Sequence, residues 1–301
     1  MKTLPAPTAS DSTPTRPVPV NQRIPLPGGA ALGVRFYGRR PAHGKAPLVL
    51  HFHGGAFAGG SLDTGACVAQ VLADAGAVVM SLDYPLAPDQ VFPAAVEAGH
   101  AALLWAHKAR SRLAGPGAQL FVAGEEAGGN IAAAVALMAR DRQGPALAGQ
   151  ILLSPMLDPC VATASLRDAQ AGPVGCIWAD GWQKYLGAMD NASHPYATPG
   201  QALRLAGLPA TLMLTAGDDP MRDEALAYTA RLRGAGLVAD DVVLAEPTGW
   251  PCSFLKKLSP AAAWVPSLRK ALADFLSRGR PGLPASSSFS SSSSSAPTSA
   301  S

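Results

Sequence analysis

Short apolar runs alternate with longer segments of helical character through most of this chain. The apolar runs are of strand length, which is typical of strands buried on both faces of a sheet. They lie at 48–52, 78–82, 119–123, 151–153, 211–215 and 242–244. The helix-length segments lie at 64–75, 93–109, 131–140, 221–234 and 260–278. This alternation predicts an α/β fold with a mainly parallel central sheet and helices on both faces.

Two segments depart from that alternation. Residues 21–26 and 31–37 read as a strand pair with Gly28 and Gly29 near the turn, which predicts an antiparallel hairpin at one sheet edge. Residues 161–205 carry several large aromatic side chains instead of the strand and helix pattern. Because open α/β sheets bind ligands outside the carboxyl ends of their strands, we expect this insertion to form a short cap there.

The two ends of the chain differ in composition from its centre. Residues 1–20 are polar and rich in proline, and residues 279–301 turn to glycine and proline and then to serine. Such segments bury too little apolar surface to offset the entropy of ordering, so both are predicted to be disordered. With 301 residues and 48% hydrophobic content, the chain is long enough for one large core, which we place at 21–278.

Charge, hydropathy and cysteine usage narrow the class of protein. The net charge of +3 comes from scattered residues, so nucleic acid is not an expected partner. No apolar stretch reaches the about 18 residues of a membrane span, and residues 1–20 lack the apolar core of a signal peptide. We therefore expect a cytoplasmic protein that does not bind membranes.

The four cysteines have no metal-ligand spacing, so neither a metal nor a cofactor is expected. The sequence indicates no particular oligomeric state.

The most informative motif lies where a predicted strand meets a predicted helix. Residues 124–130, GEEAGGN, follow the apolar run 119–123 and open an alanine-rich helix. In that context a G-x-S-x-G motif is a nucleophile elbow, the sharp turn that exposes a catalytic serine. In this chain Glu126 occupies the serine position.

Several further segments, from about Ile24 to Phe275, resemble the hormone-sensitive-lipase-like family of α/β-hydrolase esterases in that family's order. They are HGGAF at 53–57, DYPLAPD at 83–89 with FPAA at 92–95, YATP at 196–199 and DDPMRDE at 218–224. The resemblance implies an α/β-hydrolase fold over 21–278 and the machinery of a carboxylic-ester hydrolase. It also implies that 53–57 is the oxyanion loop and that Asp219 is the triad acid.

Two departures from the family pattern concern groups that ester hydrolysis needs. One is Glu126 in place of the serine. The other is Thr248, which stands where the family has its histidine, and the last histidine in the chain is His194. A serine hydrolase needs a nucleophile whose proton is removed by an imidazole that a carboxylate orients. Because only Asp219 remains, we expect a pseudo-hydrolase that is inactive, or nearly so, as a serine hydrolase.

The resemblance also implies an oxyanion hole formed by backbone N–H groups of Gly54 or Gly55 and of Ala127. A carboxylate beside these donors, at the start of a helix, lies next to an anion-binding site. We therefore expect Glu126 to fold into the hole and block it. An alternative is that Glu126 and Asp219 face each other, so that one holds a proton or the pair recruits a cation.

Four side chains are candidates for a pocket above the site: His53, Trp178, Trp182 and Trp250. Core packing explains the tryptophans equally well, and His53 heads the oxyanion loop, where a structural role is favoured. Such a pocket would bind a small acyl or aromatic ligand. Three functions stay open: a binding or regulatory protein, a noncanonical hydrolase that uses Glu126 with Asp219, and an interaction or scaffold protein.

Overall fold

An eight-stranded sheet runs through the centre of the molecule. The computed structural model describes residues 17–167, 172–245, 247–255 and 262–278. The strands are β1 Val20–Pro25, β2 Ala31–Tyr37, β3 Leu48–Phe52, β4 Val78–Leu82, β5 Leu120–Glu125, β6 Gly149–Leu153, β7 Thr211–Ala216 and β8 Ala239–Leu244. Their order is β1-β2-β4-β3-β5-β6-β7-β8. Pairing is antiparallel for β1 with β2 and for β2 with β4, and parallel from β4 to β8. The predicted edge hairpin and mainly parallel sheet are confirmed.

Helices cover both faces of the sheet, as predicted. They are α1 Ala66–Asp74, α2 Ala94–Ala114, α3 Ala127–Asp141, α4 Ala164–Arg167, α5 Gly172–Leu186, α6 Arg222–Gly234 and α7 Trp264–Arg278. Buried side chains of α2, α3 and α6 contribute to one hydrophobic core, and those of α1 and α7 contribute to the other. Within the described ranges, no helix combines the length and the apolar character needed to cross a membrane.

Strand β3 shows why the sheet strands read as continuous apolar runs. All five of its residues are buried. Leu48, Leu50 and Phe52 belong to the core that includes α2 and α3, whereas Val49 belongs to the core that includes α1 and α7. Because successive side chains of a strand point to opposite faces, a strand covered on both faces needs apolar residues at nearly every position.

The strand order reverses at β3, and this reversal positions the site. β3 pairs with β4 on one side and with β5 on the other, so that Phe52 at the end of β3 lies opposite Gly124 in β5. The loop that leaves β3 and the turn that leaves β5 therefore lie side by side. Such a switch point is where open α/β sheets bind their ligands.

The predicted insertion at 161–205 contains α4, α5 and two 3₁₀ turns, Met189–Ser193 and Pro199–Gln201. Strand β1 begins at Val20, so the last residue of the predicted arm at 1–20 belongs to the sheet. The remaining part of that prediction, residues 1–16, and the predicted tail at 279–301 lie outside the described residues.

Candidate active site

Glu126 occupies a sharp turn between β5 and α3. Its backbone has φ 54° and ψ −118°, a conformation that residues other than glycine seldom adopt. Strand β5 ends at Glu125 and α3 begins at Ala127, so the turn consists of Glu126 alone. This is the strand–turn–helix geometry of a nucleophile elbow, with a glutamate at its apex.

Gly128 allows the elbow to pack closely against β3. A Cβ atom at this position would lie 2.1 Å from the carbonyl oxygen of Phe52, which no real side chain tolerates. The glycine-rich motif is therefore a steric requirement of the turn and not evidence of catalysis. It brings the elbow against the loop at 53–58.

The Glu126 carboxylate points into that loop and is fully hydrogen-bonded there. Its Oε2 atom accepts hydrogen bonds from the backbone N–H of Gly55 and, at 3.0 Å, from that of Ala56. Its Oε1 atom accepts a 2.7 Å hydrogen bond from the indole Nε1 of Trp178 in α5. The residue is 3% exposed, so these three donors replace the water that a carboxylate would otherwise require.

The donors to Glu126 differ from those that the sequence suggested. Gly55 is one of them, as predicted, but Ala56 takes the place expected for Ala127. The N–H of Gly54 instead donates a 3.2 Å hydrogen bond to Glu125 Oε1. Among the described residues, the amide of Ala127 makes no hydrogen bond to the Glu126 carboxylate, which the loop amides and Trp178 hold in a different direction.

Glu125 supports the other side of the same loop through a buried polar chain. Its Oε2 atom lies 2.7 Å from His51 Nε2, and His51 Nδ1 lies 2.9 Å from Ser81 Oγ. His51, Ser81 and Glu125 are all almost completely buried. Two consecutive glutamates therefore hold three successive loop amides: Glu125 holds Gly54, and Glu126 holds Gly55 and Ala56.

His53 has a structural place at the head of the loop. Its ring stacks on Tyr84 at 4.4 Å between centroids, and its Nδ1 atom lies 2.8 Å from the Gly54 carbonyl oxygen. The Tyr84 hydroxyl donates a 2.6 Å hydrogen bond to the His53 carbonyl oxygen. Burial lowers the pKa of His53, which favours the neutral imidazole. These contacts fix the start of the loop.

Asp219 lies just beyond β7 and is paired with Ser154, not with Glu126. Its Oδ1 atom accepts hydrogen bonds of 2.7 Å from Ser154 Oγ and 2.9 Å from the Met221 N–H. Its Oδ2 atom is buried and has no partner among the described residues. Burial raises the pKa of Asp219 to about 7. The alternative of a Glu126–Asp219 carboxylate pair finds no support in these contacts.

Thr248, at the expected histidine position, contacts Asp218 and not Asp219. The Thr248 hydroxyl donates a 3.0 Å hydrogen bond to Asp218 Oδ1. The N–H groups of Thr248 and Gly249 each donate at 2.7 Å to Asp218 Oδ2. Asp218 therefore organises this loop, a role that the sequence did not suggest. The only signal was the pair of adjacent aspartates.

The four pocket candidates separate into two regions. Trp178 and Trp182 of α5 lie over the loop at 53–58. Trp178 donates a hydrogen bond to Glu126, and the ring of Trp182 packs on that of Phe57 at 4.8 Å between centroids. Trp250 instead lies in the core that includes α1 and α7, where its ring meets that of Trp264 edge-on at 5.3 Å. It therefore does not belong to the same wall as Trp178.

The arrangement has a clear chemical consequence. In acyl transfer, backbone N–H groups that converge on one point stabilise the negative charge that develops on the substrate oxygen. Here a resident carboxylate already receives such donors. Neither an alcohol nor a thiol is present at the apex of the elbow.

Comparison with known proteins places the chain among esterases and their relatives. The family described as the alpha/beta hydrolase fold matches residues 49–246. Esterase LipI of Mycobacterium tuberculosis is 38% identical over 228 residues, which cover 72% of this chain and 70% of LipI. Gibberellin receptor GID1B of Arabidopsis thaliana is 31% identical over 215 residues, which cover 67% of this chain and 59% of the receptor. The solved structure of EstE1, a carboxylesterase cloned from a metagenomic library, is similar with a TM-score of 0.77 at 32% identity. That match covers 89% of this chain and 92% of EstE1.

Proposed function

This chain belongs to the α/β-hydrolase fold family, and within it we propose a pseudo-hydrolase, impaired in catalysis, that binds a small acyl or aromatic ligand. Its relatives include ester hydrolases such as LipI. The ester-hydrolase scaffold is therefore common to this protein and those relatives. The difference that we propose lies at the elbow and at the histidine position.

One observation carries the proposal: the Glu126 carboxylate accepts hydrogen bonds from two backbone N–H groups of the loop at 53–58, which we assign as the oxyanion loop. A substrate carbonyl oxygen must approach the N–H groups of this loop to be polarised. Glu126 Oε2 already accepts from Gly55 and Ala56. A bound ester would have to displace a buried anion from its hydrogen bonds, so binding in a reactive pose is disfavoured.

The unpaired oxygen of Asp219 supports the same interpretation. Buried polar atoms are nearly always hydrogen-bonded, and an unpaired carboxylate oxygen is costly. In the triad of a serine hydrolase, the acid accepts a hydrogen bond from an imidazole N–H. The chain offers no histidine after His194, and Asp219 Oδ2 has no partner among the described residues. The acid thus retains an acceptor for a group that the sequence does not supply.

The cap favours ligand binding as the remaining role. Trp178, Trp182 and Tyr185 lie on α5, and Tyr185 stacks on Phe57 of the oxyanion loop at 4.1 Å between centroids. Aromatic and apolar walls around a few polar donors are typical of small-molecule sites. A relative whose name describes it as a gibberellin receptor offers a precedent for binding on this scaffold.

An ester assay tests the impaired catalysis. Purified wild-type protein and Glu126→Gln are compared on p-nitrophenyl acetate and butyrate, with both proteins prepared in parallel so that contaminating esterases contribute equally. We expect equal, near-background turnover. Wild-type turnover well above that of Glu126→Gln would instead support the noncanonical hydrolase that uses Glu126.

A binding assay separates a ligand-binding protein from a scaffold. Thermal unfolding is followed with a panel of small carboxylic esters, lactones and aromatic compounds, since a ligand that binds only the folded state raises its melting temperature by mass action. We expect a saturable rise with at least one member of the panel. A flat response across the panel would favour the scaffold function.

A further inference from the structure

We propose that Gly55, Ala56 and Trp178 form a receptor for small monocarboxylates, and that the Glu126 side chain is its tethered resident ligand. The inference rests on the proposed function and states what its occupied donors are built to hold, namely a carboxylate, which in the wild-type chain is the side chain of Glu126. Its donors come from two separate elements, the loop after β3 and helix α5 of the cap. The ligand is the acid half of an ester and not the ester itself.

The donors are arranged to match both oxygens of a carboxylate. Two loop amides serve one oxygen of Glu126, and the Trp178 indole serves the other at 2.7 Å. An ionised carboxylate accepts on both oxygens and donates on neither, so every position at this site is complementary to it. Hydrogen bonds to an ionised acceptor are about twice as strong as neutral ones.

Trp178 is the group that distinguishes a carboxylate from neutral analogues. The oxyanion donors of acyl transfer serve a single oxygen, for which the loop amides suffice. The indole N–H adds a donor for a second oxygen, and a primary amide would present its NH₂ group to one of these donors. An amide of the same shape should therefore bind poorly, because two donors would face each other.

The side chains described around Glu126 limit the charge of the ligand. No ion pair between Glu126 and a basic side chain is found in the described part of the chain. The site is enclosed, with Glu126 3% and Trp178 2% exposed. Because a second buried charge would have no compensation, a monocarboxylate fits better than a phosphate or a dicarboxylate.

The length of the Glu126 side chain determines the size of the free carboxylate that can replace it. Glu126→Ala removes the side chain beyond Cβ, which is a methylene and a carboxylate, the heavy atoms of acetate. Glu126→Gly removes one carbon more, which corresponds to propionate. The glycine variant also suits the φ of 54° at this position, so it should fold even if the alanine variant does not.

The test measures thermal unfolding of Glu126→Ala with increasing sodium acetate, against sodium chloride at equal ionic strength and against acetamide. For Glu126→Ala we expect a saturable rise in melting temperature with acetate but not with chloride or acetamide. For Glu126→Gly we expect the same rise with propionate. Wild-type protein should respond to acetate no more than to chloride, because its own carboxylate fills the site. Isothermal titration calorimetry then gives the affinity.

Trp178→Phe in the Glu126→Ala background is the matched control. Losing a hydrogen bond to a charged group should weaken acetate binding by about tenfold or more. The receptor would be overturned if acetate acted no differently from chloride on Glu126→Ala and propionate acted no differently from chloride on Glu126→Gly. Equal acetate affinity with and without the indole would also overturn it. Because the ester assay on wild-type protein does not depend on these variants, failure of the receptor and failure of the proposed function are distinguishable.

Discussion

Ser154 donates a 2.7 Å hydrogen bond to one oxygen of Asp219, and the other oxygen of this buried carboxylate has no partner in the described part of the chain. Burial raises the pKa of Asp219 to about 7, despite the opposing hydrogen bonds from Ser154 and Met221. In the unfolded chain an aspartate ionises near about 3.9. The native state therefore holds an extra proton between these values, and its stability falls as the pH rises from about 4 to about 7.

Asp219→Asn should remove this contribution to the pH dependence. Asparagine has the shape of the protonated acid, keeps an acceptor for Ser154, and does not ionise. Relative to wild type, the variant should gain stability between pH 4 and 8, by up to about 4 kcal/mol from the pKa difference. Urea unfolding at several pH values measures this change. The pKa of Glu224 is also raised, chiefly by burial and in smaller part by the charge of Asp219, so the difference between the two proteins includes a minor contribution from Glu224.

The matched control for this experiment is Asp89→Asn, which changes an exposed aspartate. Its stability curve should keep the wild-type shape. If the curves of Asp219→Asn and wild type run parallel from pH 4 to 8, Asp219 does not hold the extra proton.

Glu125→Ala should destabilise the fold strongly. The substitution leaves both His51 Nε2 and the Gly54 N–H without their buried partner. Removing one member of a buried, hydrogen-bonded pair typically costs about 3–5 kcal/mol. Glu125→Gln should be milder, because its amide retains an acceptor for Gly54 and a donor that His51 can accept in its other tautomer. Chemical denaturation measures both values.

Glu97→Ala provides the comparison on the surface. Glu97 also pairs with a base, but its ion pair with Arg142 is partly exposed, and such pairs contribute only about 0–1 kcal/mol. A Glu125→Ala variant that loses no more stability than Glu97→Ala would mean that the buried chain does not hold the loop.

Thr248→Val should weaken the loop that follows β8 without changing its shape. The Thr248 hydroxyl donates to Asp218 and accepts a 3.1 Å hydrogen bond from the Trp250 N–H. Valine fills the same volume but leaves that buried N–H unpaired, which should cost about 1–3 kcal/mol. Thr248→Ser keeps the hydroxyl and should stay closer to wild type. Equal loss in the two variants would mean that the hydrogen bonds of the Thr248 hydroxyl do not account for the effect.

The sequence predicted the sheet well because buried strands require apolar residues at nearly every position. The runs at 48–52 and 78–82 coincide with β3 and β4. The prediction of where α3 starts was less accurate. The apolar pattern suggested residue 131, whereas the helix begins at Ala127. The intervening Gly128 and Gly129 favour neither helix nor strand, and tertiary packing of the elbow decides their conformation.

The sequence alone could not predict the hydrogen bonds of the site, because they depend on the directions in which the backbone N–H groups point. Gly54, Gly55 and Ala56 are successive, and only the path of the loop determines which of their N–H groups face Glu126. The same limit applies to Trp250. Its position near the expected histidine suggested the pocket, but the segment after β8 turns it towards α7.

Restoring the missing groups tests the interpretation of the elbow directly. In Glu126→Ser/Thr248→His, the serine would stand beside the vacated loop amides, and the imidazole would donate to Asp219 Oδ2, which in wild type has no partner among the residues that the structure describes. A positioned base contributes about 10²–10⁴-fold, so hydrolysis of p-nitrophenyl butyrate should exceed that of Glu126→Ser alone by about 10²-fold. Adding Asp219→Asn should abolish the gain, because the imidazole would lose the acceptor that orients it.

A gain that survives Asp219→Asn but disappears with Asp218→Asn would transfer the role of the acid to Asp218, which contacts residue 248 in this structure. No gain over Glu126→Ser would mean that losses beyond these two side chains separate this fold from hydrolysis.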